Sequence, residues 1–164
     1  NRVTKGTYEL GSVFKPFTFA SALNNDLIKP ETEFLNLPKS IRCEKHRIGE
    51  YDNEIPSDLS AEQILIRSGN IGSVRIAQKI GPEKYKSFLE KIGVLSQISF
   101  DIEEVAPQKN YNFGKCKLAT SSFGHGIATT ILQLARQCYH LLPLRNQISV
   151  QCTQKDHSET EFLL

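Results

Sequence analysis

The sequence predicts an α+β fold that is mostly helical, and three observations carry the prediction. Apolar residues recur at helical spacing in several separate stretches. Capping residues and helix stops bracket those stretches. Between them, LPKSIRCEKHRIGEYDNEIP interrupts helical spacing with Pro, Gly and Asp-Asn signals, so loops and short strands are expected there.

Taken in order, the first helix is expected from Ser12 to about Asn24 or Asn25, on the apolar run Val13, Phe14, Phe17, Phe19, Ala20, Ala22 and Leu23. Pro30 follows the break. A second helix opens at Ser60, with Gln63 three residues later in capping-box position, and breaks near Gly69. A third resumes through Ile71, Val74, Ile76, Ala77 and Ile80, with Asn70 as its expected cap. A fourth has Pro82 in its first turn and Gly93 as its stop. The segment from Leu95 to Lys117 shows little periodicity and is expected to be irregular chain. SSFGHG is a glycine turn, followed by a helix from about Thr129. All ten glycines lie at or before Gly126, and the texture changes after about Gln137. We therefore expect residues 1–136 to form one unit and 137–164 a divergent tail, holding at most one short strand, QISVQC.

With 164 residues the chain has room for one compact domain, and 39% hydrophobic with 23% charged residues marks it as globular. A net charge of +2, spread rather than clustered, argues against nucleic acid as a partner. No apolar run is long enough to span a bilayer, and no signal-peptide pattern opens the chain. The opening NRVTKG lacks an initiator and Met is absent throughout, so an internal piece of a longer product is expected. Cys43 and His46 in CEKH have the look of half a zinc site. No second half follows at ligand spacing, so no metal is expected, and the four cysteines are expected to be free thiols.

Ser12 and Lys15 carry the chemistry. Residues i and i+3 share a helix face, so Lys15 can hold its amine near the Ser12 hydroxyl. Pro16 is tolerated only near a helix start, where backbone N–H groups lack partners, and it places Ser12 at the tip. The positive end of the helix favours an alkoxide on Ser12 and disfavours an ammonium on Lys15. Burial among Phe14 and Phe17 adds to that, and a neutral lysine accepts the serine proton. Set against this is a plain reading: Ser12 caps a helix and Lys15 is solvated. Ser68-Gly69-Asn70, at a helix break, is the second element of a serine acyl-transfer pattern. Its plain reading is a linker glycine and a cap. His125, between two glycines, is expected to be a surface side chain.

Three stretches, TYELGSVFKPFTFASAL, ILIRSGNIGSVRIAQKIG and SSFGHGIATTILQLA, resemble successive landmarks of the transpeptidase domain of class B (monofunctional) penicillin-binding proteins. The glycine turn and the following Gln133-Leu134-Ala135 resemble the cell-division type, and the resemblance covers about residues 1–136. It implies the helical portion of a transpeptidase fold shared with serine β-lactamases, with an incomplete sheet. Ser12 would be the nucleophile, acylated by the D-Ala-D-Ala end of a peptidoglycan stem peptide or by a β-lactam. Lys15 would be its base, Ser68 a proton relay to the leaving group, and Asn70 a holder of the substrate amide. No metal or organic cofactor is implied. The parent protein would be anchored in the bacterial cytoplasmic membrane, with this domain on its outer, periplasmic side beside division-complex membrane proteins.

The chain departs from the family in one respect. No Lys is followed by Thr-Gly or Ser-Gly, the element that binds the substrate carboxylate on an edge strand. A truncated, inactive or nearly inactive domain is therefore expected. Two rivals remain at this stage: another Ser-x-x-Lys acyl enzyme (a β-lactamase or D,D-carboxypeptidase), and a non-catalytic helical interaction domain whose motifs are only caps and turns.

Overall fold

A computed structural model describes residues 2–3, 5–95, 111–139 and 141. Its centre is a helical layer. Helix α1 (Lys15–Asn24) packs on α3 (Asn70–Ile80) and α4 (Pro82–Lys91), and α3 in turn packs on α5 (Lys115–Ser121). The short α2 (Ala61–Ile66) leads into α3, and α6 occupies 131–139. Apart from Val13, which is exposed, the apolar spacing read from the sequence faces the core: Phe17, Phe19 and Ala22 from α1 meet Ile71, Val74, Ile76 and Ala77 from α3.

Among the described residues the strands form three two-stranded antiparallel sheets. Strand β1 (Thr7–Glu9) pairs with β6 (Ala128–Thr130), so the two ends of the described chain close on each other. Strand β2 (Glu33–Phe34) pairs with β5 (Leu59–Ser60). Strands β3 (Ser40–Cys43) and β4 (His46–Gly49) form a hairpin across Glu44 and Lys45, with Glu44 in the left-handed region. The short strands expected in that Pro- and Gly-marked stretch are there.

Local signals hold where they are local. Ser60 Oγ accepts from Gln63 N (3.2 Å) while Gln63 Oε1 accepts from Ser60 N (3.0 Å), the expected capping box. Pro82 sits in the first turn of α4. Gly93, at φ +81°, stops the chain beyond that helix, with Val94 N donating to Leu89 O.

Five expectations change. The first helix does not begin as an α-helix at Ser12: Gly11–Phe14 is a 3-10 turn. Pro16 has no N–H to give the Ser12 carbonyl in the α pattern, so Lys15 N donates to it instead. Asn70 is not the cap of α3; that position is Gly69, which has no side chain to cap with. The end of the supposed irregular segment is helical, because Lys115 opens α5, a helix of seven residues with no side-chain cap to announce it. The expectation of free thiols fails at Cys43, which is bonded to Cys116 with a Cα–Cα distance of 5.5 Å. That bond ties the β3–β4 hairpin to the start of α5, and it removes Cys43 as a metal ligand. Cys138 is a free, exposed thiol. Helix α6 starts at 131, two residues later than expected, because Thr129 and Thr130 belong to β6. Most of the supposed tail, with QISVQC in it, lies outside the described residues.

Candidate active site

Lys15 opens α1 and is 1% exposed, an uncommon place for a lysine. Its Nζ lies 3.2 Å from Ser12 Oγ, 2.9 Å from Ser68 Oγ and 2.8 Å from Asn70 Oδ1, and it also donates to the Ser68 carbonyl oxygen. Ser12 itself is exposed and Ser68 and Asn70 are half-buried. The four residues singled out in the sequence therefore converge on one amine. The solvated Lys15 of the plain reading is not what the chain forms.

Proton counting gives this cluster its chemistry. Four oxygens surround Nζ, and an ammonium has three protons. Two of those oxygens, Ser68 O and Asn70 Oδ1, have no hydrogen to give. The Asn70 orientation is set by its other arm, since Nδ2 donates to Gly49 O at 3.0 Å. A neutral amine fits the set with its two N–H groups on the two pure acceptors and its single lone pair left to accept from one hydroxyl, that of Ser12 or of Ser68. Burial drives the amine the same way, lowering its pKa from 10.5 to about 8 against an opposing pull from Glu50. About one Lys15 in ten is then neutral at pH 7, compared with about one in three thousand for an ordinary lysine.

Each partner is placed by a specific device. The chain leaves α2 with Gly69 N donating to Ile64 O and Ser68 N to Leu65 O, a helix ending whose left-handed position is usually glycine. Here that position is Ser68, at φ +54°. The serine costs on the order of 1 kcal/mol there. In return its carbonyl and hydroxyl both reach Lys15. Gly72 lets α3 approach closely, since a Cβ there would come within 2.5 Å of Ile64. The Ser12 turn is held from the other side by the glycine turn. Gly11 N donates to Gly124 O (3.3 Å), and a Cβ on Gly124, at φ +82°, would lie 2.1 Å from Gly11 O. Deeper in, Thr18 Oγ1 donates to Ser122 O (2.9 Å) and meets Tyr85 OH at 2.7 Å, fastening α1 to the end of α5. His125 is exposed and packs on Phe123.

Two contributors were missed in the sequence. Glu50, just past β4, takes the first two N–H groups of α3: Oε2 accepts from Asn70 N (2.6 Å) and Oε1 from Ile71 N (2.9 Å). Gly49 takes the Asn70 amide. Nothing in local spacing marks a residue that acts on a helix start 20 positions away.

Residues 1–142 match the family model described as the penicillin binding protein transpeptidase domain. The chain is 30% identical over 142 residues to a probable peptidoglycan D,D-transpeptidase, PenA, of Neisseria flavescens, covering 83% of this chain and 34% of that protein. It is 26% identical over 143 residues to the probable peptidoglycan D,D-transpeptidase FtsI of Caulobacter vibrioides, covering 87% of this chain and 24% of that protein. The chain thus spans about a third or less of the length of these relatives. Among solved structures, the transpeptidase domain of Burkholderia pseudomallei penicillin-binding protein 3, without ligand, superposes with a TM-score of 0.74 at 26% identity, over 84% of this chain and 42% of that one.

Proposed function

Because the chain belongs to the penicillin-binding protein transpeptidase domain family, we propose that its site carries out serine acyl transfer on D-Ala-D-Ala stem peptides of peptidoglycan. The observation that carries this reading is the buried Lys15 amine, 3.2 Å from Ser12 Oγ, with its N–H groups engaged by Ser68 O and Asn70 Oδ1.

In this reading Ser12 Oγ attacks the carbonyl carbon of the terminal D-Ala-D-Ala bond. Its proton passes to the lone pair of Lys15 Nζ. The Ser12 N–H, at the head of its turn, is assigned to the developing oxyanion. The C–N bond then breaks. The departing D-Ala amine takes a proton from the Ser68 hydroxyl, which Lys15 reprotonates at 2.9 Å. An ester on Ser12 remains, and the amine of a second stem peptide attacks its carbonyl carbon; the C–O bond to Ser12 breaks, the crosslinking amide forms, and the proton the amine loses passes through Lys15 to Ser12 Oγ. Asn70 holds Lys15 first. One Nδ2–H and one Oδ1 lone pair stay available for the substrate amide. A β-lactam enters by the same attack, with its ring amide as the broken bond. We assign residues 1–136 to this catalytic unit and residues 137–164 to a divergent tail. The division-type motifs support a parent protein anchored in the cytoplasmic membrane, acting on its outer face beside division-complex membrane proteins.

The test is intact-mass analysis of the chain after incubation with excess benzylpenicillin. The expected result is one adduct per chain, mapped to the peptide holding Ser12, formed slowly because the sequence contains no Lys-Thr-Gly or Lys-Ser-Gly. Ser12→Ala abolishes it and Lys15→Ala slows it. An adduct that survives Ser12→Ala, or that maps to a peptide without Ser12, overturns the proposal.

A further inference from the structure

Helix α3 begins without a side-chain cap of its own. A Ser or Asp at position 69 would supply one locally. Instead the chain brings a carboxylate from the end of β4, and Glu50 binds both Asn70 N and Ile71 N. The preceding residue contributes the second half of the grip, as Gly49 O accepts from Asn70 Nδ2. Asn70 is therefore held by its backbone and by its side chain, and its remaining polar atom, Oδ1, is the one presented to Lys15 at 2.8 Å. The groups around the amine are Ser12 from the 3-10 turn, Ser68 and Asn70 from the α2–α3 link, and Glu50 from the end of β4. Of these only Glu50 is charged, and its field acts on Lys15.

We propose that Glu50 is a positioning residue for the serine–lysine pair: its carboxylate fixes the first turn of α3 so that Asn70 presents Oδ1 to the amine, and its negative charge balances that amine. A distant carboxylate does what a local cap would do for the helix, and it also brings charge to the site. The inference rests on the reading of Lys15 as the base. It adds a residue that touches neither Ser12 nor substrate.

The experiment follows the Lys15 side chain by 13C NMR through a pH titration, in the wild-type chain and in Glu50→Gln, Glu50→Asp and Ser60→Ala. Glu50→Gln keeps the shape and one acceptor but removes the charge. The Lys15 midpoint is expected to fall by on the order of half a unit, because a favourable charge is lost. The Asn70 and Ile71 amide proton signals should move upfield as their carboxylate partner disappears. Glu50→Asp restores the midpoint toward wild type. Ser60→Ala, which destabilises α2 by breaking its capping box, leaves the midpoint in place. Simple loosening of the site would admit water and raise the midpoint, so the direction separates the two roles. A wild-type midpoint near 8 that Glu50→Gln leaves unchanged or raises overturns the role of Glu50 alone. A wild-type midpoint near 10.5 overturns the serine–lysine reading beneath it as well.

Discussion

Opening the Cys43–Cys116 bond tests how far a remote staple supports the site. The bond joins the end of β3 to α5 across 73 positions of sequence. In the loop-entropy model, closing a loop of that size removes about 4 kcal/mol of freedom from the unfolded chain. A single domain is stable by only about 5–15 kcal/mol, so this share decides whether the fold persists near neutral pH. With a urea slope of about 2 kcal/mol per molar, the unfolding midpoint should drop by about 2 M. The assay is a urea melt followed by far-UV circular dichroism, oxidised against reduced, with Cys138→Ser and Cys152→Ser as the common background to prevent crosslinks between chains. Cys43→Ala combined with Cys116→Ala should reproduce the reduced curve without reductant. The site should feel the loss as well, because the same hairpin ends in Gly49 and Glu50, which hold Asn70. Identical midpoints for the oxidised and reduced chains would refute the reasoning, since the staple would then constrain nothing in the unfolded state.

Three further outcomes follow from the same contacts. Lys15 has a folded pKa of about 8, below the 10.5 of an unfolded lysine, so between those values the unfolded chain binds the extra proton. Stability should therefore rise with pH from about 8 to 10.5, by up to about 3 kcal/mol. The check is the difference in urea midpoint between pH 7 and pH 10 in wild type, from which the same difference in Lys15→Met is subtracted. Gly124→Ala forces a Cβ onto Gly11 O at a left-handed backbone position and should cost about 2 kcal/mol or more; its penicillin labelling should slow, because the Ser12 turn is displaced with Gly11. Asn70→Ala leaves Gly49 O and one Lys15 N–H without their partner, a loss of about 1–3 kcal/mol by urea melt, with slower labelling of Ser12.

The parts of the fold that could be read beforehand are those whose causes lie within one helical turn. Pro16 marked the neighbourhood of the first helix start, though the α-helix opens at Lys15 and not at Ser12, while Ser60 with Gln63 located the second helix and Gly93 a stop. The Ser12–Lys15 pair belongs to the same class, since i and i+3 share a face whether the turn is 3-10 or α. Sequence order also brought Ser68 and Asn70 into view, but not their geometry. Asn70 read as a cap, and only the fold reveals that Glu50 caps in its place, freeing the asparagine side chain for Lys15. The Cys43–Cys116 bond and the pairing of Thr7 with Thr130 were illegible for a related reason. They join segments whose local spacing carries no trace of their partner. Helix α5 escaped because seven residues without a side-chain cap give too short a pattern to register.

The account turns on whether the Lys15 amine is poised to accept a proton from Ser12. The most direct measurement is the 13C titration of Lys15 in the wild-type chain, oxidised and without ligand. A midpoint about 8 is the predicted result. A midpoint at the 10.5 of an ordinary lysine would contradict it, leaving an ammonium where the reaction requires a base.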